Sequence, residues 1–149
     1  MERYYLCAPV KIWITILFCI TLFLSACVDT AKVMKHPNVY YKYQTAMKWY
    51  AKGKYVQAIP IIEDLISHYK GTDTAENLYY MLAEGYYKNE EYLISAYHFK
   101  NYSDLYANKS RAEDALFYSA LCYYHESPRF SLDQTETYNA ITNLLLFGY

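Results

Sequence analysis

The sequence has 149 residues, with 14 basic and 15 acidic side chains and a formal net charge of −1. This balance gives no sign of the concentrated basic face that a nucleic-acid-binding protein needs. The length suits a single domain with a modest core. Tyrosine is the compositional outlier, with 21 residues.

The N-terminus has the pattern of a secretory signal. Arg3 and Lys11 precede an apolar run of 13 residues from Ile12 to Leu24, which is too short for a comfortable transmembrane helix. A basic start, a short apolar segment and small residues predict a signal peptide at residues 1–26. Its end, Leu-Ser-Ala-Cys, resembles the bacterial lipobox, which implies that Cys27 is lipidated and becomes the first residue of the mature chain. An ordinary signal peptide with an incidental cysteine, or an uncleaved anchor, stays open.

The residues after Cys27 bear on where the chain is sorted. Val28 follows the cysteine, and the absence of an aspartate there favours the outer membrane by the enterobacterial sorting rule. We expect residues 27–38 to form a short lipidated tether.

Three stretches of the chain are similar to one another at a spacing of 37 residues. Ala46, Ala83 and Ala120 fall in register, and aromatic residues fill three further columns. These columns are Trp49, Tyr86 and Tyr123; Tyr50, Tyr87 and Tyr124; and Tyr43, Tyr80 and Phe117. A fixed period of this length predicts stacked supersecondary units, each unable to bury its apolar face alone.

Each unit has the pattern of a helical hairpin. In the second unit, apolar residues recur at three- and four-residue steps from Ala75 to Lys88 and again from Tyr92 to about Tyr106. We therefore predict an all-α solenoid of about two and a half repeats. The predicted repeats are 39–71, 76–107 and an incomplete 113–149.

Several residues predict where helices begin and end. Gly71 can end the first unit in the left-handed conformation. Two pairs have capping-box spacing at the next two starts: Asp73 with Glu76, and Ser110 with Glu113. Pro60 lies inside a predicted helix, where it removes a backbone hydrogen bond. We still predict that helix, because the apolar spacing continues through the proline.

The sequence offers little that could carry catalysis. The four histidines lie far apart without metal-ligand spacing. Once Cys7 and Cys19 leave with the signal and Cys27 is modified, Cys122 is the one remaining cysteine, and we expect it to be a small packed residue. We predict no catalytic residue, no metal site, no cofactor and no enzymatic activity.

The repeat resembles the tetratricopeptide repeat. The first unit carries that family's order of residues in Ala46, Trp49, Gly53, Tyr55 and Ala58. The resemblance implies that the first helix of each unit lines a concave groove, and two aromatic columns match lining positions. The candidate groove residues are Tyr43, Tyr80 and Phe117, together with Tyr50, Tyr87 and Tyr124. Rings with a hydroxyl tip suit peptides or sugars, and the alternative is that they pack between units as core.

The lipobox, the tether and repeats containing Ala-Met-Lys-Trp-Tyr are together similar to the BamD family of outer-membrane lipoproteins. The segment from Arg129 to Ile141 is similar to that family's insertion before the second helix of the third repeat. The resemblance implies a periplasm-facing scaffold, lipid-anchored in the outer membrane. Its implied partners are a BamA-like barrel protein, other assembly subunits and unfolded outer membrane proteins, with no nucleic acid.

The chain departs from that family in length. BamD-like proteins have about five repeats, and this sequence stops within its third, so we expect a fragment or a truncated reading frame. The repeats that dock on BamA in the family would then be missing, while the N-terminal, substrate-facing half is retained. Two other classes stay open: a different tetratricopeptide scaffold lipoprotein of the envelope, and a glycan-binding lipoprotein of the SusD type.

Overall fold

Helices make up the regular structure of residues 26–147, the part of the chain that the computed structural model describes, with side chains from residue 30 onward. The described helices are α1 (Ala26–Met34), α2 (Val39–Ala51), α3 (Tyr55–His68), α4 (Asp73–Lys88), α5 (Tyr92–Leu105), α6 (Ala112–Glu126) and α7 (Thr135–Phe147). The predicted all-α class is confirmed. The predicted signal peptide, apart from its last residue, lies outside the described residues.

Helices that follow one another in the chain also pack on one another. α2 with α3, α4 with α5, and α6 with α7 form hairpins, while α3 packs on α4 and α5 packs on α6 to join them. This is the helical-hairpin solenoid that the 37-residue spacing predicts. Within α3, the helix continues through Pro60 to His68, as predicted.

The segment expected to be a tether contains α1. This helix packs against α3 and α2, and its Val33 is 6% exposed within the core cluster of the first unit. This helix was not expected from the sequence pattern. Met34 also packs against this cluster, so two apolar side chains dock α1 on the first hairpin.

The column of small residues lies in the interior of the solenoid. Ala46, Ala83 and Ala120 are fully buried. Buried hydroxyl groups sit beside these alanines, and the Ser95 hydroxyl donates to the Ala83 carbonyl at 2.9 Å. In the next unit the Ser119 hydroxyl donates to the carbonyl of Ala96, also at 2.9 Å. Both buried hydroxyls are therefore satisfied, and together they tie α4, α5 and α6 to one another.

The turns inside the first two hairpins have the same backbone geometry. Gly53 has φ +71°, and Glu90, which lies 37 residues later, has φ +62°. The amide of Lys54 donates to the Trp49 carbonyl at 2.9 Å, and the amide of Glu91 donates to the Tyr86 carbonyl at 3.0 Å. The repeat thus preserves a left-handed turn position even where glycine is absent. Gly71 also has positive φ, +82°, as predicted.

The predicted capping boxes are wrong. Thr72, one residue earlier than expected, caps α4 by accepting a hydrogen bond from the Ala75 amide at 3.3 Å. Arg111 occupies the cap position of α6, and it makes no side-chain capping bond.

Glu76 belongs to a network between units instead of a capping box. Its side chain is 12% exposed and accepts hydrogen bonds from the Tyr102 hydroxyl at 2.8 Å and the Arg111 guanidinium at 3.4 Å. Lys109 approaches the other carboxylate oxygen at 3.0 Å and also pairs with Asp73 at 3.0 Å. Because Tyr102, Lys109 and Arg111 hold the Glu76 carboxylate, it does not turn back to the end of its own helix.

Candidate functional site

Two columns of aromatic residues follow the first helices of the three hairpins, with one member of each column on α2, α4 and α6. The first column consists of Tyr43, Tyr80 and Phe117. The second column consists of Tyr50, Tyr87 and Tyr124. The repeat places the members of each column at equivalent positions of successive units.

Tyr80, the middle member of the first column, sits in an aromatic and cationic environment. Its ring meets Phe99 and Tyr102 edge-on, with centroid distances of 5.6 and 5.2 Å. The Arg111 guanidinium carbon lies 4.6 Å from its centroid, within the range of a cation–π contact. Burial raises the pKa of the Tyr80 hydroxyl to about 12, so it is a neutral donor at physiological pH.

The other members of the first column differ in exposure. Tyr43 is half-buried against the core cluster of the first unit, with its ring 6.0 Å from that of Tyr69. Phe117 is 39% exposed and lies 5.7 Å from the ring of Phe147. The column therefore runs from a packed ring at one end to an accessible ring at the other.

The second column makes contacts between neighbouring units. The Tyr50 hydroxyl donates to Glu84 of the next unit at 2.9 Å, and burial raises the pKa of Tyr50. Tyr87 meets Tyr118 of the next unit edge-on at 5.7 Å. Tyr124 is 67% exposed. Two of these three rings thus take part in unit-to-unit packing.

The structure brings the two columns together at one small depression between α4 and α6. It has a volume of about 50 Å³. Its lining residues are Tyr80, Glu84, Tyr87, Lys88, Phe99 and Tyr118. Pockets that enclose a small molecule usually measure about 300–1,000 Å³. A ligand here would therefore lie across the surface and place one side chain or edge in the depression.

A larger cleft has lining residues outside the two aromatic columns, and the sequence pattern did not predict it. It measures about 530 Å³ between the ends of α3 and α5 and the start of α4. Ile66, Tyr79 and Tyr106 give it apolar walls, and Glu63 and Lys70 stand on α3 and just after its end. Ala75 and Tyr106 have counterparts 37 residues away in Ala112 and Tyr69, but the other lining residues do not recur, so the repeat did not mark this cleft.

The remaining candidate groups have packing roles. Cys122 is fully buried, its sulfur lies 3.4 Å from the Ser95 hydroxyl, and burial raises the pKa of its thiol to about 11. A thiol in this state is a poor nucleophile. Among the described residues, no group of three or more histidine, cysteine, aspartate or glutamate side chains is placed to hold a metal ion.

Comparison with known protein families assigns the chain to one family. A family model named YfiO and described as "Outer membrane lipoprotein" matches residues 35–147, which include all three hairpins. The chain belongs to the YfiO family. A search of curated proteins finds no match.

Membership of the YfiO family agrees with the predicted resemblance to outer-membrane lipoproteins of the BamD type. The match begins at residue 35, after Cys27, so the lipidation of Cys27 stays a prediction. Within residues 26–147, no helix combines the length and the apolar character that crossing a membrane requires.

Proposed function

We propose that this chain is a scaffold lipoprotein of the outer-membrane β-barrel assembly machinery. It is held at the periplasmic face of the outer membrane by a lipidated Cys27. Its two aromatic columns receive unfolded outer membrane proteins, and it works beside a BamA-like barrel protein. It performs no catalysis and needs no cofactor.

One observation carries this proposal. A chain of the YfiO family presents an aromatic residue from the first helix of each repeat, at Tyr43, Tyr80 and Phe117. Unfolded barrel proteins are extended chains with alternating aromatic side chains, so a row of rings suits them better than one deep pocket. The 50 Å³ depression beside Tyr80 agrees with a shallow, sequence-tolerant contact.

The environment of Tyr80 suggests how such a segment is held. The half-exposed Arg111 beside the ring supplies donors, and the ring supplies an apolar edge. A flexible segment must be ordered when it binds, which offsets much of the contact energy. We expect micromolar affinity at best.

The first test concerns the anchor. Wild-type protein is expected to label with fatty acid and to fractionate with the outer membrane. Cys27→Ser removes the acceptor thiol, so it should lose the label and keep residues 1–26. Acylation of the Cys27→Ser protein at another residue would show that the anchor is assigned wrongly.

The second test concerns the columns. A synthetic peptide with the last strand of a barrel protein, ending in phenylalanine, is titrated against the protein by fluorescence anisotropy. Tyr80→Ala should weaken binding by about 1–2 kcal/mol if the ring is a partly buried anchor. Tyr124→Ala is the companion variant, because its 67% exposed ring contributes little to stability. Tyr97→Ala, which removes an exposed ring on α5 outside both columns, serves as the control.

The outcomes separate the proposed function from its rivals. If Tyr80→Ala and Tyr124→Ala leave the affinity unchanged while Tyr80→Ala lowers the melting temperature, the columns are core and the groove assignment fails. Binding of an oligosaccharide with no binding of the peptide would favour the glycan-binding class.

A further inference from the structure

The near-zero net charge hides a strong separation of charge along the chain. Residues 26–68, which hold α1 and the first hairpin, contain six lysines and three acidic residues, Asp29, Glu63 and Asp64. Residues 69–147 contain eleven acidic and six basic residues. The first hairpin with α1 therefore carries a net positive charge, while the rest of the solenoid is acidic. The prediction from total charge that no basic face exists is wrong for this end.

Five of these six lysines are exposed: Lys32, Lys35, Lys48, Lys52 and Lys54. The sixth, Lys42, is buried and pairs with Asp64 at 2.8 Å. The exposed five come from α1 and the residue after it, from the end of α2 and from the turn that follows α2. They form what we call the basic end of the molecule.

The repeat shows how this surface arises. In α4, Leu78, Leu82 and Gly85 occupy the face that packs on the preceding unit, and all three are buried. The same three positions in α6 are Ala115, Ser119 and Cys122, which are also buried.

In α2 these positions hold Tyr41, Thr45 and Lys48. α1 covers this face of α2 only in part. Together with Lys32, Val33 and Trp49, the three residues line an open cavity of about 340 Å³.

A solvated end cap needs only polar residues. This cavity instead combines two ammonium groups with the rings of Tyr41 and Trp49. Tryptophan and tyrosine rings favour the boundary between water and lipid headgroups, and lysines near a membrane are attracted to anionic lipids. Lys32 also lies only five residues after Cys27, which is about 8 Å along a helix such as α1.

We infer that the basic end rests on anionic phospholipid headgroups, with a headgroup phosphate held between Lys32 and Lys48 beside Trp49. This inference rests on the lipid anchor of the proposed function. The anchor holds the protein at the membrane, and the basic end sets its orientation. The acidic second and third hairpins are then directed away from the lipid surface.

Trp49 makes the inference measurable. Every protein in this experiment carries Trp13→Phe. Trp49 is then the only tryptophan, whether or not residues 1–26 are removed. Each protein is purified from membranes in detergent, its N-terminal state is read by intact mass, and it is reconstituted into phosphatidylcholine vesicles with or without about 30% phosphatidylglycerol. Acyl-brominated phosphatidylcholine in both vesicles quenches tryptophan that lies at the lipid interface.

Quenching of Trp49 should be about twofold greater in the anionic vesicles. It should fall to the neutral value in about 0.5 M NaCl, where exposed charges are screened within a few ångströms. The double variant Lys32→Glu with Lys48→Glu should bring the anionic-to-neutral ratio to about one. The control is Lys70→Glu with Lys88→Glu, which changes charge equally at two exposed lysines outside the basic end and should keep the wild-type ratio.

Equal quenching in both vesicles would overturn the inference, and so would a response that survives Lys32→Glu with Lys48→Glu. If the mass shows no lipid on Cys27, the anchor of the proposed function fails separately. Sedimentation of the same protein with the two vesicles then tests the basic end. It should pellet more with anionic vesicles, and equal pelleting would refute the inference.

Discussion

At the residue scale, the hairpin turns show how the repeat tolerates a costly substitution. Gly53 and Glu90 occupy the same left-handed position, and the hydrogen bonds around them match. A side chain in this conformation crowds its own backbone and costs about 1–2 kcal/mol, whereas glycine is free of that cost. The second turn therefore keeps its shape because both flanking helices are packed.

Glu90→Gly should raise the free energy of unfolding by about 1 kcal/mol, because it removes the strain at φ +62°. The greater freedom of glycine in the unfolded chain offsets a part of this gain. Chemical denaturation of the two proteins measures the difference.

Glu91→Gly is the matched control, since Glu91 has φ −90° and no such strain to release. It is expected to be neutral or destabilising. If both glutamate variants stabilise equally, loss of negative charge rather than relief of strain is the cause. Gly53→Glu should have the opposite effect to Glu90→Gly.

At the scale of elements, the network around Glu76 holds the second hairpin to the start of the third. The hydrogen bond from Tyr102 is the main cause that lowers the pKa of the Glu76 carboxyl, and Lys109 and Arg111 act in the same direction. A lowered pKa in the folded state contributes stability above the unfolded value near 4.5. That contribution is lost as the pH falls through the folded pKa.

Glu76→Gln should lower the free energy of unfolding at pH 7 by about 1–2 kcal/mol, because a neutral amide is a weaker acceptor for Lys109 and Arg111. The variant should also lose part of the decrease in stability that the wild type shows below about pH 4.5. Urea denaturation at a series of pH values measures both effects. A difference between the two proteins that stays constant down to pH 3 would refute the role of the charge.

The elements also show what the sequence could and could not predict. The bounds of α4 and α5 agree with the predicted ones within two residues, because the apolar spacing and the polar break at residues 89–91 mark them directly. The capping boxes failed because Asp73 and Glu76 fit the motif by spacing, while their partners Lys109 and Tyr102 come from elsewhere in the chain. Helix α1 carried too little apolar pattern to be seen. The packing of Tyr50 and Tyr87 between units depends on Glu84 and Tyr118, which are distant in sequence and which no local pattern indicates.

At the scale of the whole molecule, each hairpin is stabilised by its neighbours in the chain. α5 packs between α4 and α6, and Phe99 and Tyr102 on it are almost fully buried. When Ala140 of α7 is aligned with Ser95 of α5, Leu144 corresponds to Phe99 and Phe147 corresponds to Tyr102. In contrast to those two buried residues, Leu144 and Phe147 are each 44% exposed. The third hairpin is thus the least buried of the three in the described part of the chain.

Hydrogen exchange should be slowest in α4 and α5 and much faster in α7, because burial on both sides slows local opening. Mutations should follow the same order. Phe99→Ala is expected to cost about 3–5 kcal/mol, while Leu144→Ala should cost less than about 1 kcal/mol. Equal protection of α5 and α7 would show that another surface covers α7 in solution.

The packing of each hairpin on the next one has a mechanical consequence. If the N-terminal end is fixed to a membrane, a load applied near Phe147 acts first on α7, where Leu144 and Phe147 are each 44% exposed. We expect α7 to detach while the first hairpin, with its Lys42–Asp64 ion pair and aliphatic core, still holds. Detachment of each further hairpin would lengthen the chain by about one repeat. A solenoid fixed in this way is an extensible linker, which yields at its far end before it loosens at its attachment.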